Sequence, residues 1–215
     1  MLLSVAPYSF AGQQIDGPNN PTDRFRPAQE APRLDRVLKA KDIDTDRRKM
    51  LWKDKTVDRE GYLRVKSSVE YLKFPESVLL HPNFVKSGSN GSKNIVARGD
   101  LDLIGKLNED QHRVTWALSN KNNNLILTVW KYKAAGAVYS VPEEFLNQKV
   151  GGQPAVLSLS YAEKTEKALW KLTWWDKGVM YELYVSDTLT SSGAPQTKPH
   201  QIINIADLAL RKVNN

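Results

Sequence analysis

Few side chains in this sequence are of the types that most often carry out catalysis or bind metal ions. The chain contains three histidines, His81, His112 and His200, and no cysteine. The histidines are far apart, and none lies in the H-E-x-x-H pattern that places two imidazoles and a general base around zinc. The lack of cysteine excludes thiolate catalysis, disulfide bonds and cysteine-ligated zinc. We therefore predict no catalytic residue, no cofactor and no metal site.

Pairs of acidic residues are the remaining candidates, because two carboxylates can share the roles of general acid and general base. Glu143 and Glu144 are adjacent, but Ser140 before them is a typical helix cap, and glutamate is common in a first helical turn. Asp100 and Asp102 would lie on one face of a strand, where charge commonly protects an exposed edge. Both pairs have structural explanations, so the chain is predicted not to be an enzyme.

The charge of the chain allows contact with an anionic partner but does not require it, because the acidic residues are interspersed with the basic ones as on a well-solvated surface. It has 31 basic and 24 acidic residues, a formal net charge of +7 and a pI of about 9.4, which permits binding to nucleic acid, anionic lipid or acidic polysaccharide. Basic residues are concentrated in residues 36–66. The candidate contacts with a polyanion or a protein partner are Arg47, Arg48, Lys49, Trp52, Lys53 and Lys55. Aspartates dilute this charge, and the alternative is a solvated segment anchored to the core by Leu51 and Trp52.

The first 33 residues are expected to lie outside the main domain. Residues 1–11 are apolar, with small side chains at Ser9 and Ala11 that suit signal peptidase, and we interpret them as the remnant of an export signal. This predicts an extracytoplasmic protein, periplasmic or secreted. Residues 12–33 contain four prolines, which prevent a continuous helix, so they are predicted to form an extended arm or linker. No run of residues approaches the ~18–20 apolar positions that cross a bilayer.

Residues 34–213 are predicted to form a single α+β domain. Its expected core is an antiparallel β-sheet of about six strands with a C-terminal helix packed on one face. Residues 113–119 and 125–132 alternate as strands do, and Trp116 and Trp130 are expected to meet across them. Short helices are predicted at 33–41 and at 140–148 from apolar spacing and from capping residues.

The segment 150–185 gives the clearest strand pattern. Asp176-Lys177-Gly178 predicts a short hairpin connection, with Gly178 as the left-handed residue of a bulged turn. Alternation places Trp170, Leu172 and Trp174 on one face of the first hairpin strand and Lys171, Thr173 and Trp175 on the other. Trp175 and Tyr184 are the candidates for an exposed aromatic contact, for example with carbohydrate.

The last segment, 200–213, reads as an amphipathic helix that follows a proline. Its apolar stripe consists of Ile202, Ile205, Ala206 and Ala209, and two basic residues near its end favour the negative end of the helix dipole. We expect this helix to pack on the sheet.

The order of motifs in the second half is distinctive: a glycine-rich turn, the strand GQPAVLSLS, a W-x-x-G-V-x-Y-E-L hairpin and a final IINIADLAL helix. The hairpin residues are Trp175, Gly178, Val179, Tyr181, Glu182 and Leu183. This order resembles a family of bacterial extracytoplasmic domains of unknown function, found on anti-sigma-factor-like regulators and lipoproteins. The resemblance is strongest over 150–210. It implies an extracytoplasmic sensor or accessory domain, and it transfers no catalytic residue.

We therefore expect a non-catalytic binding, accessory or sensor domain that contacts protein or cell-envelope material. One alternative is a structural subunit of a larger assembly that uses the arm at 12–33, since such segments can order on contact with a neighbour. Another is nucleic-acid or polyanion binding through 36–66, which would depend steeply on salt. The sequence leaves the oligomeric state open.

Overall fold

The fold is taken from a computed structural model that describes residues 36–67, 101–120, 123–162 and 165–214. The predicted export-signal remnant (1–11) and the predicted arm (12–33), together with His81 and Asp100, lie outside these residues. Within the described ranges, no helix combines the length and apolar character needed to span a membrane.

Eleven strands and two α-helices make up the described part of the chain. The strands are β1 (Arg36–Leu38), β2 (Lys55–Val57), β3 (Leu63–Lys66), β4 (Asp102–Glu109), β5 (Arg113–Asn120), β6 (Asn123–Trp130), β7 (Ser140–Pro142), β8 (Gln148–Val150), β9 (Gln153–Tyr161), β10 (Lys167–Asp176) and β11 (Val179–Thr188). The helices are α1 (Thr45–Trp52) and α2 (Pro199–Asn214), with short 3-10 turns at Ala40–Asp42 and Glu143–Phe145.

Nine of the strands form one sheet, in the order β2-β3-β9-β10-β11-β6-β5-β4, with β8 also paired to β9. Every neighbouring pair is antiparallel except β3 and β9, which run parallel. Strands β1 and β7 form a separate parallel pair. The predicted class, a sheet with a C-terminal helix on one face, is confirmed. The sheet is larger than expected because β2, β3 and β8 are too short to show alternation in the sequence.

The outer edge of β9 is shared between two partners. Strand β8 pairs with its beginning and β3 with its end, which leaves Leu157 between the two ladders. The side chain of Asn147 fills this gap: its Nδ2 donates to the Leu157 carbonyl at 2.9 Å, and its Oδ1 accepts from the Leu157 N–H at 2.8 Å. The Asn147 amide thus takes the place of a paired strand residue, and it forms the hydrogen bonds that the Leu157 N–H and carbonyl would otherwise lack at this edge.

The main hydrophobic core lies between the sheet and α2. The predicted stripe of α2 is confirmed: Ile202, Ile205, Ala206 and Ala209 are all buried. They pack with the inward-facing side chains of the central strands, which include Leu157, Trp170, Leu172, Trp174 and Leu183. Small alanines on the helix allow it to approach the large tryptophans of β10 closely.

The opposite face of the sheet is only partly apolar. One apolar cluster consists of Leu63, Tyr132, Val141, Phe145, Trp175 and Met180, and a second of Ala117, Ile126 and Leu169. Between the two clusters this face carries polar side chains of β5, β6, β10 and β11, which are described with the candidate site.

In the β10–β11 hairpin, Gly178 has the predicted left-handed conformation, but the turn lacks the expected bulge. Asp176 pairs directly with Val179, so the loop has two residues, Lys177 and Gly178, with φ of 47° and 81°. Two successive positive φ values are typical of the type I′ turn, whose twist matches that of the strands.

Three local predictions are wrong. Residues 36–38 form β1 and not a helix, because their backbone pairs with β7 and Val37 remains exposed. The segment 140–148 is likewise taken by β7 and a single 3-10 turn, which no side chain caps. Trp116 pairs with Leu127, whereas Trp130 pairs with Arg113. This register of β5 on β6 places the two tryptophans on opposite faces of the sheet, so they cannot meet.

Candidate functional site

The basic segment is held against the rest of the domain by Glu144. Helix α1 is capped by Asp44, whose Oδ1 accepts from the Arg47 N–H at 2.9 Å. Farther along α1, Arg48 Nη2 and Trp52 Nε1 each donate to Glu144 Oε2 at 3.1 Å. The Trp52 ring also packs edge-on against Phe145, with centroids 5.0 Å apart. Arg48 and Trp52 therefore have intramolecular partners, as the alternative of an anchored segment predicts.

The other basic candidates differ in exposure. Arg47, Lys49 and Lys53 are exposed, and Lys49 Nζ lies 3.4 Å from Asp46 Oδ1. Lys55 belongs to β2 and is partly buried, and this burial lowers the pKa of its ammonium. The six residues do not present one continuous exposed basic surface, since Trp52 and Lys55 are partly withdrawn from solvent.

The two aromatic candidates lie on the same face of the sheet but in different surroundings. The expectation that Trp175 is exposed is wrong: its side chain is 2% exposed and packs in the cluster with Tyr132 and Met180. The residues of the loop after β6 cover it, and Tyr139 lies against it at 5.9 Å between ring centroids. Tyr184 is partly exposed, next to the polar residues of this face.

Polar side chains of β5, β6, β10 and β11 form a region on the sheet face opposite α2, which we call the polar sheet face. It comprises Arg113, Thr115, Thr128, Lys171, Glu182 and Tyr184. Lys171 Nζ and Glu182 Oε1 form an ion pair at 2.5 Å, and the same ammonium lies 5.2 Å from the centre of the Tyr184 ring. The Arg113 guanidinium covers the ring of Trp130 at 4.6 Å. The Thr115 and Thr128 hydroxyls are 3.1 Å apart, so side chains from four adjacent strands converge here.

The surroundings of Lys171 and of two neighbouring tyrosines shift the pKa values of these groups upward. Burial alone would lower the pKa of Lys171, but the Glu182 carboxylate and the Tyr184 hydroxyl offset this, and the pKa is raised above its usual value. Burial, reinforced by Glu182, raises the pKa of both Tyr139 and Tyr184. Lys171 therefore stays protonated, which makes it a poor nucleophile or base and a good hydrogen-bond donor.

A concave region lies on the other side of the sheet, where the C-terminal half of α2 meets the β8–β9 and β10–β11 turns. We call it the helix-end cleft. Its volume is about 140 Å³, and its walls include Val150, Gln153, Asp176, Tyr181, Asp207 and Leu210. The Tyr181 ring is stacked on Trp174, with centroids 5.0 Å apart and planes within 9°. Burial and then the Asp176 charge raise the pKa of Tyr181, so its hydroxyl remains protonated.

The remaining chemical candidates are dispersed. His112 lies in the turn before β5, His200 is exposed in the first turn of α2, and Glu143 is exposed in the 3-10 turn. Within the ranges that the structure describes, no group of three or more histidine, aspartate or glutamate side chains is arranged to hold a metal ion.

Sequence reasoning missed both the polar sheet face and the helix-end cleft. The alternation of β10 separated Lys171 from Trp170 and Trp174, but the pairing of Lys171 with Glu182 depends on the register between β10 and β11. That register aligns Lys171 with Tyr184 and Thr173 with Glu182. The helix-end cleft joins residues that are more than fifty positions apart in the sequence, so no local pattern indicates it.

Comparison with known proteins adds no relative: no family model matches the chain, and neither a curated protein nor a solved structure matches it.

Proposed function

We propose that this protein is a non-catalytic binding or accessory domain that acts outside the cytoplasm and contacts protein or cell-envelope material through the polar sheet face. The observation that carries the proposal is the Lys171–Glu182 ion pair beside Tyr184. Lys171 and Glu182 neutralise each other there, and the remaining groups are the Arg113 guanidinium over the Trp130 ring, hydroxyls and rings.

This combination suits recognition better than reaction. A catalytic base or nucleophile works best with a pKa near the operating pH, whereas the pKa of Lys171 is shifted away from that range. Hydroxyl groups, a paired ammonium and partly exposed aromatic rings supply donors, acceptors and apolar surface to a polar ligand. The resemblance of 150–210 to extracytoplasmic domains of bacterial regulators and lipoproteins supports the same function and compartment.

The experiment is site-specific photo-crosslinking in the cells that make the protein. The photoreactive residue p-benzoylphenylalanine replaces Tyr184, where it preserves an aromatic ring. It also replaces Val57, which is 60% exposed on an edge strand away from the polar sheet face and serves as the matched control. Crosslinked products are identified by mass spectrometry after the cells are fractionated.

We expect discrete crosslinks to a protein or to envelope material from position 184 and none from position 57, with the protein recovered outside the cytoplasm. Recovery of the protein only in the cytoplasm would contradict the proposed compartment. An equal crosslinking pattern from both positions, or none from position 184, would contradict the proposed contact surface.

A further inference from the structure

We propose that the helix-end cleft binds a cationic nitrogen group, a guanidinium or a primary ammonium. This inference concerns a site on the helix side of the sheet, so it goes beyond the binding function of the polar sheet face and does not rest on it.

The first argument comes from buried acceptors without donors. Gln153 is only 9% exposed, yet its Oε1 has no hydrogen-bond partner among the residues that the structure describes, and neither has the buried Oδ1 of Asp176. Both residues line the cleft. A buried acceptor left unpaired is unfavourable, and native proteins contain few of them. The presence of two unpaired acceptors in one small cleft indicates that a hydrogen-bond donor from outside the described residues binds there.

The second argument concerns the charge of the cleft. Asp176 and Asp207 both line it, and neither forms an ion pair with a basic side chain of the described residues. The chain as a whole is basic, with a net charge of +7, so this acidic concavity is opposite in sign to the molecule around it. An anion would be repelled here, whereas a cation that donates hydrogen bonds would meet both carboxylates and the Gln153 carbonyl.

The third argument concerns size and donor type. A volume of about 140 Å³ is below the ~300 Å³ at which pockets begin to enclose drug-sized ligands, and above what one water needs. It suits the end of one side chain or a small amine. Two carboxylates and an amide form a sparse set for a divalent cation, which prefers six or more oxygen ligands. A planar guanidinium presents five donors to several acceptors at once, and aromatic walls such as Tyr181 favour cations.

The test is an NMR titration of the whole ¹⁵N-labelled chain, followed at the Gln153 side-chain amide and the Gly151 backbone amide. The probes are methylguanidinium chloride and methylammonium chloride, with methylurea as an uncharged control of the same shape. A second arm uses acetyl-Gly-Arg-Gly-amide, with citrulline in place of arginine as its control. The first arm reports on free small amines, and the second on a basic side chain of a partner protein.

We expect a saturable shift with a Kd on the order of 1 mM for a probe of this size, and none with methylurea or the citrulline peptide. Asp176→Asn should weaken binding about tenfold or more, because it removes a charge-assisted hydrogen bond. Asp207→Asn, at an exposed position, should weaken it less, and Asp42→Asn, outside the cleft, should leave it unchanged.

The comparison of the two arms assigns the source of the cation: tighter binding of the arginine peptide indicates a partner's side chain, and equal binding indicates a free amine. Asp207→Asn keeps the test valid if Asp176→Asn fails to fold. The proposal is overturned if no cationic probe binds, if the uncharged probes bind equally well, or if the carboxylate variants that fold bind as the wild type does. Each of these results leaves the crosslinking test of the polar sheet face unaffected.

Discussion

Asp187 is a partly buried carboxylate whose two oxygens both accept hydrogen bonds. It lies near the end of β11, where its Oδ2 accepts from Trp170 Nε1 at 2.8 Å and from the Thr197 N–H at 3.0 Å, while its Oδ1 accepts from the Thr188 N–H at 2.8 Å. This carboxylate therefore links the central strands to the segment that leads into α2. Burial raises its pKa, although the hydrogen bonds oppose the shift.

Replacing Asp187 with asparagine should destabilise the fold by about 1–3 kcal/mol at neutral pH, because the new NH₂ group faces donors and leaves at least one of them unpaired. Since the folded pKa is raised, the contribution of the carboxyl group to stability is largest below its ordinary pKa of 3.8. It declines as the pH rises through the folded pKa. Denaturant unfolding of both proteins across this range should show the wild type's advantage shrinking with rising pH. A constant advantage would contradict the raised pKa.

The turn between β10 and β11 permits a paired test at neighbouring residues. Gly178 has a φ of 81°, and a Cβ there would lie 3.0 Å from the side chain of Lys133. Gly178→Ala should therefore cost about 1–2 kcal/mol. Lys177 holds a φ of 47° without being glycine, and asparagine is favoured at this position of a type I′ turn. Lys177→Asn should raise the midpoint of thermal unfolding, and a lowered midpoint would show that the turn is of another type.

At the scale of elements, the shared edge of β9 depends on one side chain. Asn147→Asp keeps the shape of the side chain but replaces the donor to the Leu157 carbonyl with a carboxylate oxygen. We expect a loss of about 1–3 kcal/mol, because a backbone acceptor is left unpaired beside a negative charge. Gln148→Ala, one residue farther along, is the control and should change stability little. Urea unfolding measures both variants, and equal losses would show that Asn147 has no special role.

The elements that could be predicted from sequence are those whose pattern is long and local. Helix α2 shows four buried positions at helical spacing, and alternation along β10 places Trp170, Leu172 and Trp174 in the cluster that packs with α2. The prediction fails where pairing partners decide the conformation. The segment 33–41 has apolar residues at helical spacing, but parallel pairing with β7 makes residues 36–38 a strand. The parallel contact of β3 with β9 joins segments nearly a hundred residues apart, and no local signal specifies it.

The candidate sites depend even more strongly than the elements on tertiary contacts that no local pattern shows. Alternation correctly separated Trp170 and Trp174 from Lys171, but it could not show that the loop after β6 covers Trp175 and leaves Tyr184 partly exposed. The basic segment was recognised from composition, yet the partner that holds Arg48 and Trp52 is Glu144, ninety-two positions from Trp52. Composition shows which charges are present, and only the fold shows which of them are already paired.

At the scale of the whole molecule, a row of buried side chains crosses the sheet and joins its strands into one unit. Leu157 is aligned with Leu172, Leu172 with Leu183, and Leu183 with Leu127. All four are 0% exposed and belong to the cluster that includes the buried residues of α2. Because these strands bury the same core, none of them can separate without exposing the others, and we expect β9, β10, β11 and β6 to unfold together.

Strands β1 and β7 lie outside this row and should behave differently. They form a two-stranded pair of three residues each, and Val37 within it is 40% exposed. Such pairs are marginal without a core of their own. In hydrogen exchange, the amides of Leu172 and Leu183 should exchange only through global unfolding, with free energies of about 5 kcal/mol or more. The amide of Arg36, which donates to the Tyr139 carbonyl at 3.1 Å, should exchange through local opening at a much lower free energy. Equal protection of Arg36 and Leu172 would mean that the small pair is part of the same cooperative unit, and that the loop from β6 to β7, which covers Trp175, is fixed as firmly as the sheet itself.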